Sequence, residues 1–238
     1  MRRIKSTKIV THPAKPWVAK TKAEVIRFLK QRGVKILKSG QADLVITIGG
    51  DGTLLYNKSN ARAPIFAIGS KQSHICQARK EEWNGKLLRV LNGKYRIEKR
   101  SMLTCEIEGR AAKDALNEIV IRSRDHRVID LHLEVGSKPY NFLADGVLFS
   151  TPTGSTAYCY SAGGKILPLH ARKFEIVAIA PYKRLFKPTA VSDTAVVRAT
   201  TRSRTADLVF DGQFIHRIPA GERIRIYRSK NFVQLVVV

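Results

Sequence analysis

Acidic residues are scarce in this chain. Asp and Glu number 19 against 43 Lys and Arg, leaving a formal net charge of +24 and an isoelectric point near 10.4. Such a field draws polyanions, whether nucleic acid, phospholipid head groups, polyphosphate or nucleotides, without choosing among them. The basic residues are dispersed, from Lys5 and Arg79 through Arg122, Arg124 and Arg127 to Arg228, with no long block. A solvated surface and a non-specific nucleic-acid face therefore both stay open. Cysteine is scarce too. Cys76, Cys105 and Cys159 are odd in number and form no C-x-x-C pair, which argues against a disulfide framework or a zinc site and fits reduced thiols. His12, His126, His132, His170 and His216 lack metal-ligand spacing. No apolar run is long enough to cross a bilayer, and no apolar h-region follows the basic residues Arg3 and Lys5. The expectation is a cytoplasmic protein with no membrane partner. What is present is a globular balance, 44% hydrophobic and 26% charged, which gives disorder no compositional support.

Along the chain the pattern changes once. Up to about residue 95, short apolar runs (Ile9–Val10, Val34–Leu37, Leu44–Ile48, Ile65–Ile68) alternate with helical spacing over Lys20–Arg32, from Thr53 to Asn60 and over Glu81–Leu91. Thr21 and Glu24 are spaced as a capping box, and Gly33 suits the end of that first helix. This alternation predicts an open, Rossmann-like α/β domain over 1–95; a terminal segment of about 222–238 is expected to pack back on it. From 96 to 221 the runs are short and β-rich, including Leu116–Ile121, Val147–Ser150, Leu208–Phe210 and, further on, Ile224–Tyr227 and Val233–Val238. One helix, Ser155–Ala162, interrupts them. The fold class expected is α/β followed by an all-β, sandwich-like domain, the two sharing a cleft.

Two stretches carry chemistry. The first, Gly49-Gly50-Asp51-Gly52-Thr53, places one carboxylate among glycines at the end of an apolar run. Glycines let backbone approach a ligand and turn N–H groups toward it, and a helix beginning here would add its positive end. Neither the P-loop nor the G-x-G-x-x-G spacing occurs. A carboxylate repels phosphate unless it binds magnesium or takes a proton from an attacking hydroxyl, a combination that suits phosphoryl transfer to an alcohol. A tight turn in which Asp51 bonds to its own backbone is the other reading. The second stretch is a hydroxyl-rich turn leading from a strand into a helix. Ser150, Thr151, Thr153, Ser155 and Thr156 offer donors, Gly154 allows the turn and Tyr158 supplies an aromatic face. It suits a purine and ribose, or simply a capped helix start.

In order, Gly49 to Thr53, Asn117-Glu118, Asp145-Gly146, Thr151 to Tyr158, Ser161 to Gly164 and Asp211-Gly212-Gln213 resemble the motif series of the NAD kinases. Diacylglycerol and sphingosine kinases share the first tetrad but not T-P-T-G-S-T-A-Y. The resemblance implies transfer of a phosphoryl group from ATP, or from inorganic polyphosphate, to the 2′-hydroxyl of the adenosine ribose of NAD, with Mg2+ or another divalent metal. By that similarity Asp51 is the general base, and Gly49, Gly50, Gly52 and Thr53 cradle donor phosphates. Asn117 and Glu118 hold the ribose, Thr153, Thr156 and Ala157 line the adenine pocket, and Asp145, Tyr158 and Ser161 complete the dinucleotide cleft. The resemblance further implies the two-domain NAD kinase/diacylglycerol kinase-like fold and a homodimer or homotetramer.

The resemblance breaks in three places. Where the family has a glycine-rich loop ending in Leu-Gly-Phe-Leu, this chain reads Gly69 to Gln77, with Lys71 and His74 in place of glycines. Those two residues meet donor phosphates on one reading and water on the other. The proline expected after Gly163-Gly164 is Lys165, and a later Pro-His is replaced around Tyr182-Lys183-Arg184. A lipid or small-alcohol kinase, or a catalytically silent relative that binds polyanions, are the competing readings.

Overall fold

The computed structural model describes residues 3–12, 15–58 and 63–238. The chain divides into one unit of Met1–Lys99 with Val233–Val238 and a second of Arg100–Phe232.

In the first unit β1 (Ser6–Thr11), α1 (Pro16–Lys30), β2 (Lys35–Ile36), β3 (Leu44–Ile48), α2 (Asp51–Asn57), β4 (Ile65–Gly69), β5 (Ala78–Arg79) and α3 (Trp83–Leu91) follow one another. The strands pair in parallel: β1 lies between β2 and β3, and β4 between β3 and β5 at its C-terminal end. Every residue of β3 and β4 is buried, which is why both read as unbroken apolar runs rather than alternating ones. Val25 and Leu29 of α1 and Leu87 and Val90 of α3 join Ile46, Ile48 and Phe66 in one core.

Helix α1 begins at Pro16, not at Lys20. Thr21, expected to cap it, is buried within the helix, and no side chain caps its start. Proline at the first helical position is the reason, since its fixed φ is already helical and its missing N–H is one the helix would leave unbonded. Gly33, at φ +69, closes the other end, where the Val34 N–H reaches the Leu29 carbonyl at 3.1 Å. Helix α2 likewise starts at Asp51 instead of Thr53; positions 59 and 60 of the expected helix lie outside the described residues.

In the second unit β6 (Arg96–Ile107), which begins in the first unit, leads to β7 (Arg110–Ala111), β8 (Glu118–Ser123), β9 (Ile129–Val135), β10 (Lys138–Ala144) and β11 (Gly146–Ser150). After the short helix α4 (Tyr158–Ser161) come β12 (Lys173–Ile179), β13 (Thr189–Ser192), β14 (Val197–Thr201), β15 (Ala206–Phe210), β16 (Phe214–Ile218) and β17 (Ile224–Val237). An antiparallel sheet runs in the order β13-β12-β11-β8-β15-β16. A second antiparallel set, β10-β9-β14, continues into the first half of β17. Ile119, Ile121, Val147, Phe149 and Leu208 of the first set share a core with Leu131, Leu133, Val197 and Ile226 of the second, the inward-facing alternation of a β-sandwich.

The expected helix Ser155–Ala162 is a 3-10 turn, Gly154–Thr156, and then α4, broken at Ala157 (φ −99, ψ −127). The two expected terminal strands are one. β17 pairs with β14 at Ile226 and with β4 at Leu235, so of residues 222–238 only Val233–Val238 belong to the first unit.

Candidate functional site

The glycine turn follows from β3. Gly49 (φ +150) and Gly50 (φ +106) hold conformations that side chains disfavour. A Cβ on Gly49 would also sit 2.2 Å from Thr53 Oγ1. Asp51, half-buried, then opens α2. Its carboxylate accepts three backbone N–H bonds from the loop after β4: His74 to Oδ2 at 2.7 Å, and Ile75 and Cys76 to Oδ1 at 3.0 and 3.2 Å. The acid therefore bonds to a loop far away in sequence, not to its own turn. The same loop packs on Gly69, where a Cβ would meet Ser73 Cβ at 2.6 Å and Cys76 Sγ at 2.8 Å. Burial, and then the Asp51 charge, push the Cys76 thiol well above its usual pKa, so it stays a thiol. The Lys71 and His74 side chains are exposed while the loop's amides face Asp51. The carboxylate's partners in this loop are backbone N–H groups, which His74 supplies as glycine would.

In the second unit a different aspartate organises the site. The β15–β16 hairpin turns through Asp211 and Gly212, both at positive φ (+51 and +64). The Asp211 carboxylate accepts the N–H groups of Leu116 (3.0 Å), Asn117 (2.7 Å) and Glu118 (3.2 Å). That grip sets Asn117 and Glu118 in place at the start of β8. Both are buried, and Asn117 Oδ1 and Glu118 Oε2 find no hydrogen-bond partner among the described residues. Burial, with the Asp211 charge second, pushes the Glu118 carboxyl up to about 8.

The hydroxyl-rich turn packs against this pair. A Cβ on Gly154 would lie 2.1 Å from the Asn117 carbonyl oxygen, so only glycine permits the approach. Thr151 Oγ1 donates to the Leu116 carbonyl at 2.5 Å and accepts the Gly154 N–H at 3.1 Å. Ser155 Oγ donates to the Pro152 carbonyl at 2.8 Å and accepts the Leu167 N–H at 3.0 Å. Ser150 Oγ donates to the Thr151 carbonyl. These three hydroxyls, read from the sequence as donors offered to a ligand, are instead satisfied inside the protein and hold the turn. Thr153 is buried, Ala157 half-buried, and Thr156, Tyr158 and Ser161 exposed. Asp145 joins strands through its backbone, donating to Ile179 and accepting from Ser123, with its side chain in solvent. Sequence reasoning missed the anchoring work of Asp211; an Asp-Gly pair next to an apolar run is the hairpin signal that could have pointed to it.

The structure thus gathers Gly49–Thr53 with the 69–77 loop in one unit, and Asn117-Glu118 with Thr151–Thr156 in the other. A groove of about 650 Å³ lined by Ile107, Lys113, Phe210, Phe214 and Ile215 contains none of the candidate catalytic or nucleotide-binding residues. Among the described residues no three His, Cys, Asp or Glu side chains gather to hold a metal.

Residues 116–238 match the family model of the ATP-NAD kinase C-terminal domain. The NAD kinase of Thermoplasma acidophilum is 32% identical over 222 residues, 91% of this chain and 81% of its relative. A crystal structure of an NAD kinase from Archaeoglobus fulgidus in complex with ATP superimposes with a TM-score of 0.82 at 25% identity, covering 97% of this chain and 92% of that one. Yeast NADH kinase complexed with NADH shares the fold, with a TM-score of 0.90 at 20% identity over 100% of this chain and 84% of that one. The chain belongs to the NAD kinase family.

Proposed function

We propose that the chain moves the terminal phosphoryl group of ATP, or of polyphosphate, onto the 2′-hydroxyl of the adenosine ribose of NAD, making NADP. A bond forms between the ribose oxygen and the donor's terminal phosphorus. The bridging P–O bond breaks, the hydroxyl proton passes to Asp51, and the shortened donor leaves. Three amides fix the Asp51 carboxylate's orientation, and a carboxylate has about four lone-pair sites in all. Gly49, Gly50, Gly52 and Thr53 leave backbone open to donor phosphates. A divalent ion arrives with the donor as part of the substrate. Asn117 and Glu118 hold the ribose, Thr153, Thr156 and Ala157 the adenine, and Asp145, Tyr158 and Ser161 border the dinucleotide.

The observation that carries this reading is the pair of buried oxygens without partners, Asn117 Oδ1 and Glu118 Oε2. Leaving a buried acceptor unbonded is costly unless a ligand completes it. With its pKa near 8, Glu118 is mostly protonated at neutral pH and both gives and takes hydrogen bonds, which suits a sugar hydroxyl. The same proposal includes a cytoplasmic homodimer or homotetramer; no described helix is long and apolar enough to cross a membrane.

Purified protein supplied with ATP, magnesium and NAD is expected to generate NADP, read by an NADP-specific dehydrogenase. Asp51→Asn is expected to lower the rate at least ~100-fold while leaving the fold intact. Undiminished turnover in that variant removes Asp51 as the base. Parallel assays with polyphosphate and with NADH settle donor and acceptor.

A further inference from the structure

The open side of the Gly50 turn is faced by an ammonium and by a hydroxyl, the latter also accepting the Ser70 N–H at 3.1 Å. A Cβ built on Gly50 would lie 3.2 Å from Ser73 Oγ and 3.9 Å from Lys15 Nζ. An ammonium and a hydroxyl therefore border the space that the missing side chain leaves free, next to the turn read above as the donor-phosphate cradle. The Lys15 charge is also felt at the Cys76 thiol, where it opposes the effect of Asp51. This places the ammonium within electrostatic reach of both the turn and its loop.

Lys15 stands at the start of α1, before Pro16, in a helix with no acidic residue in its first turn and no side-chain cap. For stability alone this is the wrong residue. The positive end of a helix dipole disfavours a cation, and Asp, Ser or Thr would cap it. Among the described residues the Lys15 ammonium forms no hydrogen bond or ion pair, its side chain lies in solvent, and Asp51, the acid that follows Gly50, is taken up by loop amides. A cation kept unpaired at the positive end of a helix, over a glycine turn, makes sense if a polyanion completes it.

We propose that Lys15, seconded by Ser73, is a donor-phosphate-binding residue, its ammonium neutralising non-bridging oxygens of the phosphoryl donor above Gly50. The proposal rests on the kinase reading given above and adds a residue outside the motif series. The chemistry recognised is a chain of phosphates, whether it ends in a nucleoside or not. A lysine acts here as a compact point charge that follows the phosphates as charge moves onto the leaving group.

The test compares wild type, Lys15→Ala and Lys15→Arg. Calorimetric binding of ATP and of inorganic tripolyphosphate, each without NAD, is expected to weaken roughly 10- to 100-fold in Lys15→Ala for both ligands, as for loss of a hydrogen bond to a charged group. Lys15→Arg, which keeps the charge, is expected to retain most of both affinities. In turnover the loss should appear in KM for the donor, with KM for NAD unchanged. Equal binding of both phosphates by wild type and Lys15→Ala overturns the proposal. So does a loss confined to ATP, which would put Lys15 on the nucleoside. Lysine-dependent phosphate binding by a wild type that makes no NADP upholds the Lys15 site and sinks the kinase reading instead.

Discussion

Glu118 shows how one residue's surroundings set its chemistry. In the unfolded chain its carboxyl titrates near 4.5, whereas in the fold burial and the neighbouring Asp211 hold it near 8. Between those values the folded protein keeps a proton that the unfolded chain has released, so stability falls as pH rises across that window and is highest below it. Glu118→Gln keeps shape and hydrogen-bonding capacity but cannot ionise. Melting temperatures measured from pH 5 to pH 8.5 are expected to diverge, with the variant gaining on wild type as pH rises. Parallel profiles would show that Glu118 is not held in its acid form. The Asn-Glu pair itself was visible in the sequence. Its oxygens' lack of partners was not, because that depends on which backbone groups Asp211 has already taken from across the unit.

At the scale of elements, the segment from Ser150 to Lys165 departs most from expectation. Helical spacing over Ser155–Ala162 is real, but Thr151 and Ser155 tie the backbone to Leu116, Pro152 and Leu167, and only two short turns remain. The same segment explains one break with the family pattern. Lys165 stands where proline is expected, and its N–H donates to both oxygens of Glu175, at 3.0 and 2.9 Å. Glu175 is 1% exposed, so this amide is a principal partner of a buried carboxylate. Proline has no N–H to give. Lys165→Pro is expected to cost about 1–3 kcal/mol or more in chemical denaturation, the penalty for leaving a buried acceptor unbonded. Adding Glu175→Ile to Lys165→Pro should recover much of that loss, since removing both partners can be nearly neutral. A double variant as unstable as the single one would show that the proline clashes for another reason.

At the scale of the whole molecule, β17 joins what the sequence presented as two runs. Its first residues pair with β14 in the second unit and its end pairs with β4 in the first. Leu235 and Val236 are fully buried. Leu235→Ala is expected to destabilise the protein by about 2–5 kcal/mol, as large-to-small changes in a packed core do, measured by equilibrium denaturation. A loss below ~1 kcal/mol would mean that this end of the strand contributes little. The net charge of +24 also belongs to this scale. It bears on encounter with polyanions of every kind and does not by itself favour one site.

The sequence by itself determined the fully buried strands β3 and β4, the glycines at Gly49, Gly50 and Gly154, and the order of the motif series. Each of these constraints resides in the residue concerned: an apolar run must be buried, and backbone at the φ of Gly49 and Gly50, or a position such as Gly154 with no room for Cβ, calls for glycine. Only the tertiary structure decided what the three key carboxylates hold. Asp51 binds amides 23 to 25 residues away, Asp211 binds amides 93 to 95 residues away, and Glu175 binds that of Lys165. Every residue except proline carries the same N–H, so no letter of the sequence records which amide an acid will meet. The approach of Lys15 to Gly50 was hidden for a related reason, because the chain must fold before a helix start and a strand end become neighbours.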